Sequence, residues 1–218
     1  MNEALINING GSVPTLEILL MMTVIALIPS IVIMMTSFTR IIIILSFTRN
    51  ALGVQQSPPN MVLVGIALFL TLFIMNPVLT QINDEAYKPY KVEEITQQEA
   101  LDRAAVPMKE FMLKQTEISS LNLYLELSHT EEPEVLTDLP MTVVIPSFMT
   151  SELKRAFTAG FLIMLPFLLI DIIVSSTLMS MGMIMLAPAT IALPFKLLLF
   201  VTVNGWELLF GSIVRSFR

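Results

Sequence analysis

An uncharged apolar stretch in the first half of the chain decides the fold class. Residues 60–83 read NMVLVGIALFLTLFIMNPVLTQIN, and two further uncharged runs cover residues 18–39 and 172–195. Each run is longer than the roughly 20 residues that an α-helix needs to cross a bilayer. The pattern predicts an all-α, integral membrane-type protein of about four long hydrophobic helices, arranged as helical hairpins with a helical polar insert.

The composition supports this class and excludes several others. The 218 residues are 55% hydrophobic and 14% charged, whereas an average soluble domain carries about 25% charged residues. The net charge of -6 does not fit the basic surface of a nucleic-acid-binding protein. With no cysteine and a single histidine, His129, the chain cannot form a disulfide, a thiolate metal site or a multi-histidine metal site. The sequence also lacks a phosphate-binding glycine loop and a Ser/His/acid arrangement, so we expect no enzyme activity, no catalytic residue, no metal and no cofactor.

The chain divides into four predicted segments. A polar N-terminal segment covers residues 1–14, a first hydrophobic hairpin 15–82, an acidic insert 83–149, and a second hydrophobic hairpin 150–218. The polar start lacks the basic region of a signal peptide, so we expect either a mature form or a chain inserted through its first long helix. In the first hairpin, one helix is predicted to end near Leu45 and the next to begin at Met61.

The acidic insert is predicted to be helical. Thr96 and Glu99 have the spacing of a capping box, and apolar residues recur at helical spacing over residues 101–112. We expect Pro107 to break or bend that helix. Residues 121–127 alternate leucine with other residues as a strand would, but their leucine and glutamate content favours a helix.

Basic residues suggest an orientation for the chain. Arg40 and Arg49 flank the first loop, which contains no acidic residue, so the positive-inside rule places the loop in the cytoplasm and the insert on the periplasmic side. Lys154 and Arg155, at the outer end of the third helix, and Arg215, near the C-terminus, conflict with that rule. We therefore regard Arg40, Arg49, Lys154 and Arg155 as candidates for a role in assembly or gating.

Four charged residues of the second hairpin are predicted to form buried pairs. If the hairpin turns near residues 183–184, Asp171 and Lys196 lie at the same depth and can form an ion pair. The same symmetry places Glu152 level with Arg215. Three interpretations stay open for these pairs: they neutralise charge and fix the helix register, they relay protons, or they contact partner subunits.

The predicted turn of this hairpin is rich in methionine. Met181, Met183 and Met185 lie beside Gly182 and Ile184. Methionine is unbranched and polarizable, so it adapts to irregular surfaces. The cluster fits either a turn that fills a gap in the core or a deformable apolar closure of a pore.

Three motifs together resemble one known family. They are MTSFTRIIIILSFTRNALGVQQSPPN at residues 35–60, TSELKRAF at 150–157 and ATIALPFKL at 189–197. In this order and spacing they resemble the FliP family, proteins of the flagellar type III secretion export gate, and the resemblance extends over about residues 15–217.

The resemblance implies a core pore-forming subunit of the export gate, located in the bacterial inner membrane at the flagellar basal body. Such a subunit conducts unfolded flagellar substrates across the membrane and helps to seal the closed channel. The family implies a homo-oligomer, a pentamer, that assembles with FliQ and FliR close to FlhB and FlhA. The assembled complex is expected to lie largely above the membrane plane, on the periplasmic side.

The resemblance also assigns a role to the methionine-rich turn. In the family a methionine loop forms a gasket around the closed pore, and the matching candidates are Met181, Met183, Ile184 and Met185. Many family members read Gly-Met-Met-Met where this chain has Gly-Met-Ile-Met, and Asn204 stands where they commonly carry Asp. Two alternatives come from other classes: a proton-coupled membrane transporter with Asp171 as the proton carrier, and a purely structural membrane scaffold.

Overall fold

The computed structural model describes residues 5–8, 11–54, 56–130, 133–183 and 185–217, and these are mainly helical. A short antiparallel hairpin comes first, formed by β1 (Leu5–Ile8) and β2 (Gly11–Pro14), with Leu5 opposite Pro14. Nine α-helices follow: α1 (Thr15–Met34), α2 (Phe38–Leu52), α3 (Asn60–Ile82), α4 (Lys88–Lys91), α5 (Gln97–Gln115), α6 (Ile118–Ser128), α7 (Met141–Ser180), α8 (Pro188–Thr202) and α9 (Gly205–Arg215), all within the described ranges. A π-helical turn (Asn83–Tyr87) joins α3 to α4, and a 3-10 turn (Leu136–Asp138) precedes α7.

The predicted all-α, membrane-type fold is confirmed. The helical segments Asn60–Lys91 and Met141–Ser180 are long and apolar enough to cross a bilayer. Helices α8 and α9 are long and apolar enough for a third span if the two together are counted as one bent helix. These two helices meet at an angle of 62°. The second arm of the second hairpin is therefore bent.

The first hydrophobic segment also differs from the prediction, because it is broken at residues 35–37. The Thr36 hydroxyl donates to the Ile33 carbonyl at 2.9 Å, and the Phe38 amide donates to Thr36 Oγ1 at 3.4 Å. Threonine and serine side chains can take over backbone hydrogen bonds in this way and end a helix. As a result α2 is a separate helix, and it continues to Leu52.

The insert is helical, as the sequence predicted for residues 101–112 and for residues 121–127, which lie in α5 and α6. Thr96 and Glu99 form the capping box: the Glu99 amide donates to Thr96 Oγ1 at 3.3 Å, and the Thr96 amide donates to Glu99 Oε2 at 2.8 Å. The sequence predicted that Pro107 would break or bend α5; the helix continues past this residue, so it is not broken there. Helix α7 begins at Met141 and passes without interruption through residue 150, the boundary predicted between insert and hairpin.

The core is built around the packing of α2 against α7. Ile41, Ile44 and Leu45 of α2 are buried against Ala156 of α7, together with residues of α3 and α9. Gly160 allows the close approach of these helices, because a Cβ atom there would lie 2.5 Å from Cγ of Phe47. A second buried cluster joins α5 and α6 to the first turns of α7, so the insert and the long helix form one packed unit.

Large apolar side chains remain exposed on the long helices. On α3, Phe69 and Phe73 are 77% and 62% exposed, and Phe161 and Leu169 of α7 are each 59% exposed. A helix that is apolar all round is normally buried in a membrane or against other helices. The single chain therefore presents surface that suits lipid or further subunits.

Candidate functional site

The candidate site has three parts: a buried Arg40–Glu152 pair, a Lys196–Asp171 pair in the second hairpin, and the methionine-rich turn. Arg40 lies on α2 and is 3% exposed, whereas Glu152 lies on α7 and is fully buried. The Arg40 guanidinium donates from Nε to Glu152 Oε2 at 2.8 Å and from Nη2 to Glu152 Oε1. This two-point contact suits the planar fork of arginine and holds α2 against α7.

The remaining donors of Arg40 reach other segments of the chain. Nη1 donates to the carbonyl and hydroxyl oxygens of Ser216 at 3.3 and 3.2 Å, and Nη2 donates to Gln115 Oε1 at 3.2 Å. The guanidinium carbon lies 3.8 Å from the ring centroid of Phe217, close enough for a cation–π contact. Gln115 in turn donates to the Phe217 carbonyl at 3.2 Å. Arg40 therefore connects α2, α5, α7 and the C-terminal residues.

The predicted pairing of Glu152 with Arg215 is wrong. Glu152 binds Arg40 instead, and Arg215 is exposed in the last turn of α9. Because the Arg40–Glu152 contact joins two hairpins, the register of the second hairpin alone does not reveal it. Gln115, Ser216 and Phe217, which complete the site, were also missed, since a sequence search for ionisable groups passes over an amide, a hydroxyl and an aromatic ring.

The predicted pairing of Asp171 with Lys196 is confirmed. Lys196 Nζ donates to Asp171 Oδ2 at 2.7 Å and to the Ala51 carbonyl at 3.2 Å. Ala51 lies in the last turn of α2, where helix carbonyls lack partners within the helix and a positive charge is favourable. The ammonium group therefore links α7, α8 and the C-terminal end of α2.

The other predicted basic residues have different surroundings. Lys154 Nζ lies 2.6 Å from Glu117 Oε2, and this ammonium holds the pKa of the Glu117 carboxyl below its usual range. Arg155 Nη1 donates to Gln115 Oε1 at 3.0 Å, so it lies at the edge of the Arg40 network. Arg49 Nη1 donates to the Pro58 carbonyl at 3.3 Å and to Asn60, and in this way it holds together the loop between α2 and α3.

The methionine-rich turn joins α7 to α8. Gly182 has φ 75°, a left-handed conformation that glycine adopts without strain, and the Met183 amide donates to the Leu178 carbonyl at 3.0 Å. Met181 and Met183 are 65% and 43% exposed, and Met185 is fully exposed. Ile184, the fourth predicted residue, lies outside the described residues. The three methionines therefore project from the end of the hairpin and do not fill its core.

The ion pairs of this site hold helices together, and its methionine turn forms an apolar protrusion. In the described ranges, no group of three or more His, Asp or Glu side chains is placed to hold a metal ion. The buried Arg40–Glu152 pair and the partly buried Lys196–Asp171 pair fix how α2, α7 and α8 lie against one another. They leave the methionine turn exposed at one end.

Comparison with known proteins assigns the chain to a family. The FliP family matches residues 21–213. The flagellar biosynthetic protein FliP of Bacillus subtilis (strain 168) is 50% identical over 222 aligned residues, which cover 100% of both chains. The protein of the same name from Pectobacterium carotovorum subsp. carotovorum is 51% identical over 211 residues, or 96% of this chain and 82% of its own length. That of Caulobacter vibrioides is 48% identical over 223 residues, or 100% of this chain and 84% of its own. Since the family match covers most of the chain and these relatives are about 50% identical over nearly all of it, the chain belongs to the FliP family.

Proposed function

We propose that this chain is a pore-forming subunit of the flagellar protein export gate, and that its methionine turn helps to seal the closed channel. The observation that carries the proposal is the exposed position of Met181, Met183 and Met185 at the end of the α7–α8 hairpin. Several copies arranged around an axis would bring these thioether side chains together. Soft apolar side chains can exclude water and ions, and they can repack around unfolded chains of different sequence.

The exposed apolar faces of α3 and α7 support assembly from several chains. They fit the homo-oligomer, a pentamer, that the FliP resemblance implies, together with the partners FliQ and FliR. We place FlhB and FlhA next to this assembly, with unfolded flagellar proteins as its substrates. On this proposal the chain moves proteins and carries out no covalent chemistry.

We further propose that the assembly lies in the bacterial inner membrane, within the flagellar basal body. Two helical segments are long and apolar enough to cross a bilayer. The insert between them is acidic, and Arg49 lies in the last turn of α2, beside the loop that leads to α3. Arg40, which the sequence also placed at this loop, lies instead near the start of α2 and is buried against Glu152. Basic residues favour the cytoplasmic side, which would leave the insert on the periplasmic side.

The double substitution Met183→Ala with Met185→Ala tests the gasket. It removes two thioether side chains from each copy without touching the buried ion pairs, so the assembly should form normally while the closed pore leaks ions. The measurement is single-channel conductance of the purified complex in a planar bilayer, without export substrate.

The matched control replaces Met22 and Met61 with alanine. Both methionines are exposed, at 66% and 83%, but they lie on α1 and α3 rather than in the turn. The control should stay closed. A closed pore in the Met183/Met185 variant, with intact assembly, would reject the gasket; unchanged export by that variant would favour a purely structural scaffold.

A proton-coupled transporter receives less support from the site. Its proton carrier would be Asp171, yet Asp171 Oδ2 lies 2.7 Å from the ammonium group of Lys196. Lys196 also donates to the Ala51 carbonyl at 3.2 Å, so the contact ties α7 to α8 and to the end of α2. The pair instead supports a structural role in the hairpin.

A further inference from the structure

The methionine turn has a chemical property that the seal proposed above does not use. A thioether sulfur can be oxidised to a sulfoxide, whereas the side chains of leucine and isoleucine contain no sulfur. Met181 and Met183 are exposed, and Met185 is fully exposed. A Cβ atom at Gly182 would have no neighbour within 4 Å among the described residues, apart from the adjacent ones. In the single chain these three side chains are therefore accessible to a small oxidant.

Other methionines of the same chain are shielded. Met75 of α3 and Met112 of α5 are buried, so an oxidant dissolved in water reaches them only after a local opening of the structure. The chain contains no cysteine, and its methionines are therefore the sulfur atoms that a peroxide can oxidise. Accessible and protected methionines occur in one chain, and the protected ones provide an internal reference.

The reaction transfers two electrons from sulfur to a peroxide. The sulfur lone pair attacks one oxygen of hydrogen peroxide, an S–O bond forms and the O–O bond breaks. The remaining hydroxyl group takes the proton of the transferred oxygen and leaves as water. The product, methionine sulfoxide, is polar and chiral where the thioether was apolar. Hydrogen peroxide is uncharged and close to water in size, so it can approach an apolar turn that excludes ions.

Polar groups in the turn would oppose the seal. A hydrophobic constriction closes a pore because water leaves it, whereas a sulfoxide oxygen accepts hydrogen bonds from water. If several copies gather their turns around one axis, each copy adds up to three sulfoxides at the same level of the channel. The oxidised constriction should therefore fill with water and conduct ions.

We propose that Met181, Met183 and Met185 form a site of reversible oxidation, and that their conversion to sulfoxides by a peroxide opens the closed channel. The oxidation follows from the exposure of the turn, and its effect on the channel rests on the function proposed above. Two methionine sulfoxide reductases, one for each sulfoxide epimer, reverse the reaction. A dithiol supplies the two electrons and becomes a disulfide, and the sulfoxide oxygen leaves as water.

The first measurement maps the oxidised residues. The purified complex is treated with hydrogen peroxide for increasing times and then digested, and mass spectrometry locates each added oxygen. We expect Met75 and Met112 to be oxidised at least about tenfold more slowly than the methionines of the turn, because each must first be exposed by a local opening.

The second measurement is the single-channel conductance of the same complex in a planar bilayer, without export substrate. Peroxide should convert the closed pore to a conducting one, and the two reductases with a dithiol should close it again. The triple variant Met181→Leu, Met183→Leu and Met185→Leu keeps apolar side chains of similar volume but has no sulfur in the turn. It should stay closed before and after peroxide. Since all three positions are exposed, the variant should fold normally.

The matched control replaces exposed methionines outside the turn. Met22→Leu with Met61→Leu removes two oxidisable side chains from α1 and α3. Its pore should still open with peroxide, because the turn is unchanged. This control separates oxidation of the turn from oxidation elsewhere on the exposed surface.

Three results would overturn the inference. One is oxidation of the turn no faster than that of Met75 and Met112. Another is a pore that stays closed although its turn carries sulfoxides. The third is a leucine triple variant that opens with peroxide as the unaltered complex does.

Failure of this inference is distinguishable from failure of the gasket. If Met183→Ala with Met185→Ala leaks while the oxidised pore stays closed, the gasket stands and oxidative opening is wrong. If the alanine variant and the oxidised pore both stay closed, the gasket is wrong and so is the opening of the channel by oxidation.

Discussion

Arg40 joins parts of the molecule that are distant in sequence, and its removal should lower the stability of the folded chain. Arg40→Ala would leave the fully buried Glu152 carboxylate without its counter-charge. Breaking one side of a buried pair typically costs about 3–5 kcal/mol. Arg40→Lys should also destabilise, since an ammonium group cannot reproduce the two-point contact. The measurement is the unfolding midpoint of the detergent-purified chain.

Two controls distinguish the loss of the Arg40–Glu152 contact from the general effect of removing a charge. Arg103→Ala, at an exposed position of α5, should leave the midpoint almost unchanged. Arg40→Met combined with Glu152→Leu should be more stable than Arg40→Ala, because apolar replacement of both partners leaves no buried charge. A midpoint for Arg40→Ala equal to that of Arg103→Ala would show that the pair does not hold α2 to α7.

The Lys196–Asp171 pair gives a prediction with a smaller effect, since Asp171 is 36% exposed. Lys196→Ala should destabilise the chain by about 1 kcal/mol, the lower end of the cost of leaving a polar group without its partner, because part of the Asp171 carboxylate stays in contact with water. Adding Asp171→Asn should recover part of that loss. The unfolding midpoints of the single and double variants provide the measurement.

An exposed ion pair on the same chain provides the comparison. Lys88 and Asp84 are 66% and 50% exposed and lie one helical turn apart, and ion pairs this exposed contribute little to stability because water screens them. Lys88→Ala should therefore have little effect. If Asp171→Asn with Lys196→Ala is no more stable than Lys196→Ala alone, the two residues are not coupled.

The two buried pairs differed in how well the sequence predicted them. Asp171 and Lys196 lie on the two arms of one hairpin, so their distances along the chain from the turn are enough to match them. Arg40 and Glu152 are 112 residues apart, and their contact depends on how one hairpin packs against the other. Helical periodicity describes each hairpin but carries no information about that packing.

Among the helices and turns, the capping box of α5 gives a pH-dependent prediction. Hydrogen bonds from the amide and hydroxyl groups of Thr96 hold the pKa of Glu99 below its usual range. A carboxyl with a lowered pKa stabilises the folded state above its unfolded pKa, and this stabilisation is lost as the pH falls through the folded pKa. The start of α5 should therefore open more readily as the pH falls from about 5 to below 4.

Hydrogen–deuterium exchange of the full chain, expressed as protection factors for residues 97–100, measures this opening. Glu99→Gln should weaken protection at neutral pH and remove most of its pH dependence. Glu110→Gln, later in the same helix, is the control and should retain the dependence. A Glu99→Gln chain with the same pH profile as the unaltered chain would show that the carboxylate does not stabilise the helix start.

The boundaries of the helices show which local signals the sequence carries. The sequence predicted the capping box and a helix over residues 121–127, because Thr96, Glu99 and the leucine pattern act over a few residues; in the structure that helix covers Ile118–Ser128. The break at residues 35–37 was not predicted, since it contains neither glycine nor proline and depends on the Thr36 hydroxyl. The bend before α9 was missed as well, because Asn204 adopts φ 51°, a conformation that asparagine tolerates but does not require.

For the whole molecule, apolar surface is the dominant property. Phe69, Phe73, Phe161 and Leu169 all extend away from the core, and the buried ion pairs hold α2, α7 and α8 in a fixed arrangement beneath them. Hydropathy predicted the all-α membrane-type fold, because the apolar run that marks a membrane-type helix is a property of that helix alone. The number of copies and their contacts depend on surfaces of several chains, and that part of the account comes from the family resemblance.

The most direct test of the account is the mass of the intact complex. The chain is co-expressed with FliQ and FliR, extracted gently in detergent and measured by native mass spectrometry. The account predicts a discrete hetero-oligomer that contains several copies of this chain. A stable monomer or dimer that does not associate with those subunits would contradict the export-gate proposal.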